Sequence, residues 1–344
     1  MRTPGQGNSV TVKAKAMYAN RLTREDFTAL VSLNTTAEVV DYLKTHTAYA
    51  DTLQGFSVAA PYRGQFAAIL RIRLIRDLQT LIRYEKAAGL ELYRYFVTYY
   101  DCLQILRRLR TLGEEIDEEY VALMPAEHVT ISRLDLVSLM KAQTWPEVMA
   151  CLENTEYRAL FGSAEQEGFA RENLIFMEAH VQAFCNRRLE QAVRKDCGKK
   201  QAAALLELAR YENDLRTLLS LYRVKRLTDA DEATLRRFVQ PDFTLLTPTQ
   251  LAAVLSAPTT EELVRCVEQT PYAAMFHGED AQACALRLIA RRLQKAMRYS
   301  NDAAQTLWCF VKLRELEMND VSNIFEGVRC HASPEQIKRY IYCV

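Results

Sequence analysis

The sequence is poor in the residues that most often interrupt helices, since its 344 residues include only 11 glycines and 9 prolines. This scarcity favours long helices over strands and tight turns. Long apolar runs are also missing. The nearest candidate, the uncharged run 243–260, contains five threonines and two prolines, whereas a membrane span needs roughly 20 apolar residues. We therefore expect that the chain does not cross a membrane, and its N-terminal stretch has no apolar core typical of a secretory signal.

Neither the net charge nor the spacing of the cysteines points to a particular partner or metal. The net charge is +1, so no general attraction to nucleic acid or to an acidic membrane is indicated. The nine cysteines form no CxxC pair and no cluster with histidine at metal spacing, which predicts free thiols in a reducing cytosol. With 49% hydrophobic and 25% charged residues, the chain has the composition of an ordinary folded protein long enough for two or three core-bearing units.

The usual signatures of enzyme sites are missing from the sequence. Gly5 and Gly7 have no third glycine at a dinucleotide-loop position, and no P-loop, HExxH or GxSxG motif occurs. No two histidines share the i,i+4 spacing of a helical metal pair. His180 with Glu178 and Cys185 is the one arrangement that resembles a ligand set, but a surface histidine is the favoured interpretation. We predict no catalytic residue, no cofactor, no metal and no small-molecule substrate.

What the sequence does contain is one pattern that occurs three times. In each copy a Ser or Thr precedes an Asp or Gln by three residues, a second Thr precedes a Glu by three, and a tyrosine closes the segment. Such spacings predict two short helices, each with a side-chain cap. The first caps are Thr23/Asp26, Ser132/Asp135 and Thr247/Gln250. The second caps are Thr35/Glu38, Thr144/Glu147 and Thr259/Glu262. The closing tyrosines are Tyr49, Tyr157 and Tyr272.

Two long amphipathic stretches follow each copy, which predicts two long helices per repeat. The first stretches are 64–87, 165–196 and 279–299, and the second are 90–112, 199–226 and 302–330. An aspartate recurs in the second set, at Asp101, Asp214 and Asp320. We expect these aspartates to bond to a neighbouring arginine or a helix end, with a catalytic carboxylate group as the alternative. The predicted fold is all-α, with similar units at 1–125, 126–241 and 242–344 and a leading helix before the first copy.

The order of these motifs resembles one known family, the C subunit of A-type and bacterial V-type ATPases, which is equivalent to the d subunit of eukaryotic V-ATPases. The resemblance covers about residues 14–343 and rests on the threefold pattern, on "KAMYANRLT" and "ENDLRTLLSLYR", and on the closing "ELEMNDVSNIFEGVRCHASPEQIKRYI". Asn323, Gly327 and Pro334 fit the family's closing segment. Two departures exist: Arg216–Thr217 stands where the family usually has Asn, and the link before the last helix lacks a second glycine.

The resemblance implies three helical units around a pseudo-threefold axis, forming a funnel that caps the cytoplasmic end of the membrane rotor ring. Its expected partners are the D and F subunits of the central shaft, the ring, and the membrane stator as a further contact. The chain itself would be a non-catalytic part of an ATPase that moves H⁺ or Na⁺, peripheral on the inner face of the cell membrane. The competing hypotheses are a helical scaffold or adaptor unrelated to rotary motors and an enzyme with an unrecognised all-helical site.

Two sets of three arginines, each set with one member per repeat, are candidates for a socket that receives the shaft. They are Arg83, Arg107, Arg194, Arg223, Arg298 and Arg329. Arg is enriched at protein interfaces, which favours this role. Outer-surface arginines, or ion pairs within one unit, are at least as good an interpretation of the same pattern.

Overall fold

The computed structural model describes residues 8–54, 63–85, 91–113, 132–166, 174–228, 230–278 and 280–343. Within these ranges the regular elements are all helices, which confirms the predicted all-α class. None of the described helices is long and apolar enough to cross a membrane. The expected boundary near residue 125 lies outside the described ranges.

The chain divides into two compact units, Met1–Ala87 with His277–Val344 (unit 1) and Ala88–Phe276 (unit 2). The helices of unit 1 are α1 (Asn8–Ala19), α2 (Arg24–Leu30), α3 (Thr36–His46), α4 (Ala50–Leu53), α5 (Arg63–Glu85), α15 (Ala281–Tyr299), α16 (Ala303–Arg329) and α17 (Pro334–Lys338). The helices of unit 2 are α6 (Glu91–Arg110), α7 (Leu136–Lys141), α8 (Trp145–Cys151), α9 (Glu156–Gln166), α10 (Leu174–Asp196), α11 (Lys199–Leu227), α12 (Glu232–Arg236), α13 (Pro248–Ser256) and α14 (Thr260–Glu268). The three-unit division and the funnel stay predictions.

The first short helix of the first and third copies begins as predicted. The Thr23 hydroxyl accepts the Asp26 N–H, and the Asp26 carboxylate accepts the Thr23 N–H. Thr247 and Gln250 make the same reciprocal pair at the start of α13. Each capping box satisfies two backbone N–H groups that have no partner inside the helix.

The predicted Ser132/Asp135 cap of the second copy is wrong. Helix α7 begins three residues later, where Asp135 accepts the N–H of Ser138 and is itself the N-cap. The Ser132 hydroxyl is already engaged, because it donates to the buried Asp101 carboxylate. A contact distant in sequence therefore overrides the local capping preference here.

The second short helix begins with its predicted threonine cap in every copy. In each, the threonine hydroxyl accepts the N–H of the glutamate three residues later, in the pairs Thr35/Glu38, Thr144/Glu147 and Thr259/Glu262. In the first copy the Glu38 carboxylate also accepts the Thr35 N–H and completes the box. In each of these short helices apolar residues that follow the cap are buried, among them Val39, Val148 and Leu263.

Unit 1 is built around α16, on which α1, α5 and α15 pack. This helix is 27 residues long, or about 40 Å. Every residue from 306 to 314 is buried, Lys312 and Arg314 included, as expected for a helix that other helices surround. Phe66 of α5 stacks on Phe325 of α16 with the ring centroids 4.1 Å apart. Val10 and Ala14 of α1 are buried, which confirms the predicted leading helix.

Unit 2 has its most extensive helix contact between α6 and α10. Of the predicted helix 165–196, the structure describes α10 (Leu174–Asp196) and the last two residues of α9, and residues 167–173 lie outside the described ranges. The other predicted long helices agree with the observed ones to within two residues at each end where both ends are described.

Candidate functional site

The closing tyrosine of the second copy binds the aspartate on the second long helix of the first copy. The Tyr157 hydroxyl donates to Asp101 Oδ2 at 2.9 Å, and both residues are buried. Ser132 Oγ donates to the other carboxylate oxygen at 2.7 Å. Ser132 precedes the short-helix pair and Tyr157 follows it. One carboxylate in unit 2 therefore fastens both ends of the next copy's short-helix pair.

Asp214 does the same for the third copy. The Tyr272 hydroxyl donates to Asp214 Oδ2 at 2.6 Å, and the Leu245 N–H donates to the same oxygen at 2.8 Å. Burial raises the pKa of Asp214, while hydrogen bonds from Thr244 and Tyr272 oppose that rise. Hydrogen bonds that favour the charged form are what allow a carboxylate to remain at such a buried position.

In unit 1 the corresponding acid is a glutamate. Tyr49 donates to Glu317 Oε1 at 2.8 Å, and the Leu22 N–H, at the start of the first copy, donates to Glu317 Oε2 at 3.0 Å. Burial raises the pKa of Tyr49 well above its usual value, with the Glu317 charge as the next cause. Glu317 thus fastens the first copy to the last long helix of the chain, α16.

Asp320, which aligns with Asp101 and Asp214 in sequence, binds the C-terminal segment instead. Its carboxylate accepts the N–H of Tyr342 at 3.0 Å and that of Cys343 at 2.8 Å. The closing tyrosine of the first copy, Tyr49, donates instead to Glu317, one helical turn earlier on α16. Sequence analysis did not single out Glu317, although its spacing of three residues from Asp320 places both acids on one side of α16.

A buried cluster of charges surrounds Glu317. Arg314 Nη1 donates to Glu317 Oε1 at 2.6 Å, and Arg314 Nη2 donates to the Met17 carbonyl at 2.9 Å. Asp77 Oδ2 lies 3.9 Å from Arg314 Nε and 3.7 Å from Arg73 Nε. Burial raises the pKa of Asp77, and the two arginines oppose it. Two cations and two anions balance, which is the usual condition for burying such groups.

The six candidate socket arginines differ in their surroundings. Arg194 pairs with Glu190 at 2.6 Å and Arg329 with Glu326 at 2.7 Å, each within its own helix. Arg194 and Arg329 therefore form ion pairs within one unit, which is the alternative to a role in the socket. Arg107 is half-buried, and the remaining candidates are the exposed residues Arg83, Arg223 and Arg298.

The sequence pattern that resembled a metal-ligand set does not form one. Glu178 pairs with Arg110 at 2.8 Å, Cys185 is buried, and His180 is exposed. Across the described part of the chain, no group of three or more His, Cys, Asp or Glu side chains is arranged to hold a metal ion. Asp101, Asp214 and Glu317 are each held by a tyrosine hydroxyl together with a second donor, an arrangement that fixes helices in place.

Over the described residues the protein is thus all-helical, and buried ionisable groups join helices and segments that are distant in sequence. The family model of the ATP synthase (C/AC39) subunit matches residues 10–340, and the chain belongs to that family. It is therefore a subunit of a V/A-type rotary ATPase complex. The family is a structural subunit of that complex, which points to a non-catalytic role. No curated protein sequence matches the chain.

Proposed function

We propose that the chain is the central-stalk component that couples the rotor shaft, formed by the D and F subunits, to the membrane rotor ring. The observation that carries this proposal is the family match over residues 10–340. In this role the chain binds the shaft on one side and the ring on the other, on the inner face of the membrane, and performs no chemistry. The ATPase would use it to link ATP turnover to movement of H⁺ or Na⁺.

The packing of the chain supports a mechanical role. A coupler must resist deformation when one end is turned, and long helices packed along their length provide such resistance. The tyrosine–carboxylate contacts connect the second copy to the first, the third to the second and the first to the third. This order of contacts supports the proposal, made from the family resemblance, that the three repeats form a funnel around a pseudo-threefold axis.

Removal and restoration of the chain test the proposal. Membrane vesicles that contain the ATPase without this chain should lose ATP-driven ion uptake, and the shaft should no longer sediment with the membranes. ATP hydrolysis by the catalytic subunits should continue in the soluble fraction. Adding the purified chain should restore uptake and sedimentation together. A vesicle preparation that lacks the chain and still pumps would contradict the proposal and favour a scaffold unrelated to coupling.

A further inference from the structure

Helix α15 carries five basic residues and no acidic one. The residues are Arg287, Arg291, Arg292, Lys295 and Arg298. Positions 287, 291, 295 and 298 follow helical spacing, so these four side chains lie along one face for a length of about 16 Å. We refer to these four residues as the cationic row.

The cationic row lies on the outside of unit 1. Arg291, Lys295 and Arg298 are exposed, whereas Ile289 and Leu293 on the opposite face of α15 are buried. Lys15 of α1 adds a further cation beside the end of the row. Its Nζ donates to the carbonyl of Ser300 at 2.6 Å and lies 3.4 Å from the carbonyl of Arg298.

Several other exposed arginines of the chain form an ion pair within their own helix, which the three exposed members of the cationic row do not. Examples are Arg194 with Glu190, Arg236 with Glu232 and Arg329 with Glu326. Arg291, Lys295 and Arg298 make no ion pair with any other described residue. Like charges at i,i+4, such as Arg291 and Lys295, destabilise a helix, and no ion pair with another described residue offsets that cost.

We propose that the cationic row binds the shaft, through a line of aspartate and glutamate side chains on the shaft surface. This inference rests on the proposed function. Of the six socket candidates it keeps Arg298, and it adds the other members of the cationic row. An uncompensated row of cations on a chain of net charge +1 fits a partner that supplies the opposite charge. The row is also straight, which suits an elongated partner such as a helical shaft.

The chemistry of the row favours a protein over a lipid surface. Three of its four members are arginines, whose guanidinium groups bind carboxylates with two parallel hydrogen bonds. Tyr299, at the end of the row, is 69% exposed, and tyrosine with arginine is typical of protein interfaces. The apolar face of α15 is buried in unit 1, so the helix cannot insert into a bilayer in the manner of an amphipathic anchor.

The test compares two triple variants of the full-length chain for binding to the purified D–F subcomplex. One variant, R291Q/K295Q/R298Q, neutralises the three exposed members of the row. The matched control, R133Q/K141Q/K199Q, removes three exposed positive charges from unit 2. We expect binding of the row variant to weaken by about 10-fold or more and that of the control to change by less than about 2-fold. Added salt should weaken the wild type and reduce the difference.

The melting temperatures of all three proteins verify that the variants fold. Equal shaft binding by the wild type and the row variant would overturn the inference and leave the proposed function intact. Vesicles of phosphatidylglycerol provide a second arm. Loss of vesicle binding with unchanged shaft binding would overturn the inference in favour of a lipid contact. A wild-type chain that neither binds the shaft nor restores ATP-driven uptake would remove the proposed function itself.

Discussion

Tyr49 and Glu317 are 268 residues apart in sequence and joined by a hydrogen bond of 2.8 Å. The two other closing tyrosines reach carboxylates only 56 and 58 residues away. All three contacts are buried and have the same chemistry. The contact of Tyr49 with Glu317 is the one that joins the beginning of the chain to its end, and Arg314 reinforces it.

The Tyr49 hydroxyl should contribute measurably to stability. Because Y49F leaves a buried carboxylate with one donor fewer, we expect it to lower the free energy of unfolding by about 1–2 kcal/mol. Urea denaturation measures the change. The matched control is Y42F, since Tyr42 also donates to a carboxylate, Asp26, at 2.9 Å but is only half-buried. The control should lose clearly less, and equal losses would contradict a special role for the buried contact.

A double-mutant cycle tests which acid receives the tyrosine. We expect Y49F and E317Q to be coupled by about 1 kcal/mol, because the two side chains share a hydrogen bond. Y49F and D320N should be additive to within about 0.5 kcal/mol. If Tyr49 were coupled to Asp320 and not to Glu317, the result would contradict the observed hydrogen bond. It would mean that Asp320 receives the tyrosine, as Asp101 and Asp214 do.

Local signals in the sequence predicted much of the fold, and contacts between distant residues account for the differences. Caps and apolar periodicity depend on neighbouring residues, and the predicted range 302–330 for α16 differs from the observed Ala303–Arg329 by one residue at each end. The Ser132 cap failed because Asp101, on another helix, takes its hydroxyl. Likewise, the sequence alone shows that α15 contains no acidic residue. Only the structure shows that no acidic side chain of another described helix pairs with Arg291, Lys295 or Arg298.

Asp320 should make stability depend on pH. Burial raises its pKa to about 7, against an ordinary value of about 3.9 in the unfolded chain. Between these values the folded protein holds a proton that the unfolded chain has released. The stabilisation from this group is therefore complete below about pH 4 and is lost as the pH rises to about 7, with a slope of up to about 1.4 kcal/mol per pH unit.

The variant D320N removes this titration, so its free energy of unfolding should vary less across that pH range than that of the wild type. Urea denaturation at several pH values gives both profiles. D51N, an exposed substitution, is the control and should keep the wild-type slope. Parallel profiles for D320N and the wild type would show that the Asp320 carboxyl does not titrate in this range.

The recurrent threonine caps should each contribute to the free energy of unfolding. T259A removes the hydroxyl that accepts the Glu262 N–H, and we expect a loss of about 1 kcal/mol in the free energy of unfolding. T45A is the control, because Thr45 is exposed inside α3 and its hydroxyl contacts only groups of its own helix, the carbonyls of Asp41 and Tyr42 and the Nδ1 of His46. Alanine is the better helix former at such a position, so T45A should be neutral or slightly stabilising.

Gly327 tests how the last helix, α17, is held. An alanine Cβ at this position would lie 2.6 Å from Ile337 Cγ1 and 3.0 Å from its Cδ1. In an isolated helix the change from glycine to alanine stabilises by about 1 kcal/mol. Here we expect G327A to destabilise, because Ile337 is buried and must move away from α16.

The effect of G327A on stability should change from unfavourable to neutral or favourable when the Ile337 side chain is truncated. I337A deletes both nearby carbon atoms and should itself cost about 2–4 kcal/mol as a core truncation. In that background G327A has space, so the double variant G327A/I337A should be at least as stable as I337A alone. Thermal unfolding of the four proteins measures the cycle. If G327A were destabilising by the same amount in both backgrounds, contact with Ile337 would not be what requires glycine at residue 327.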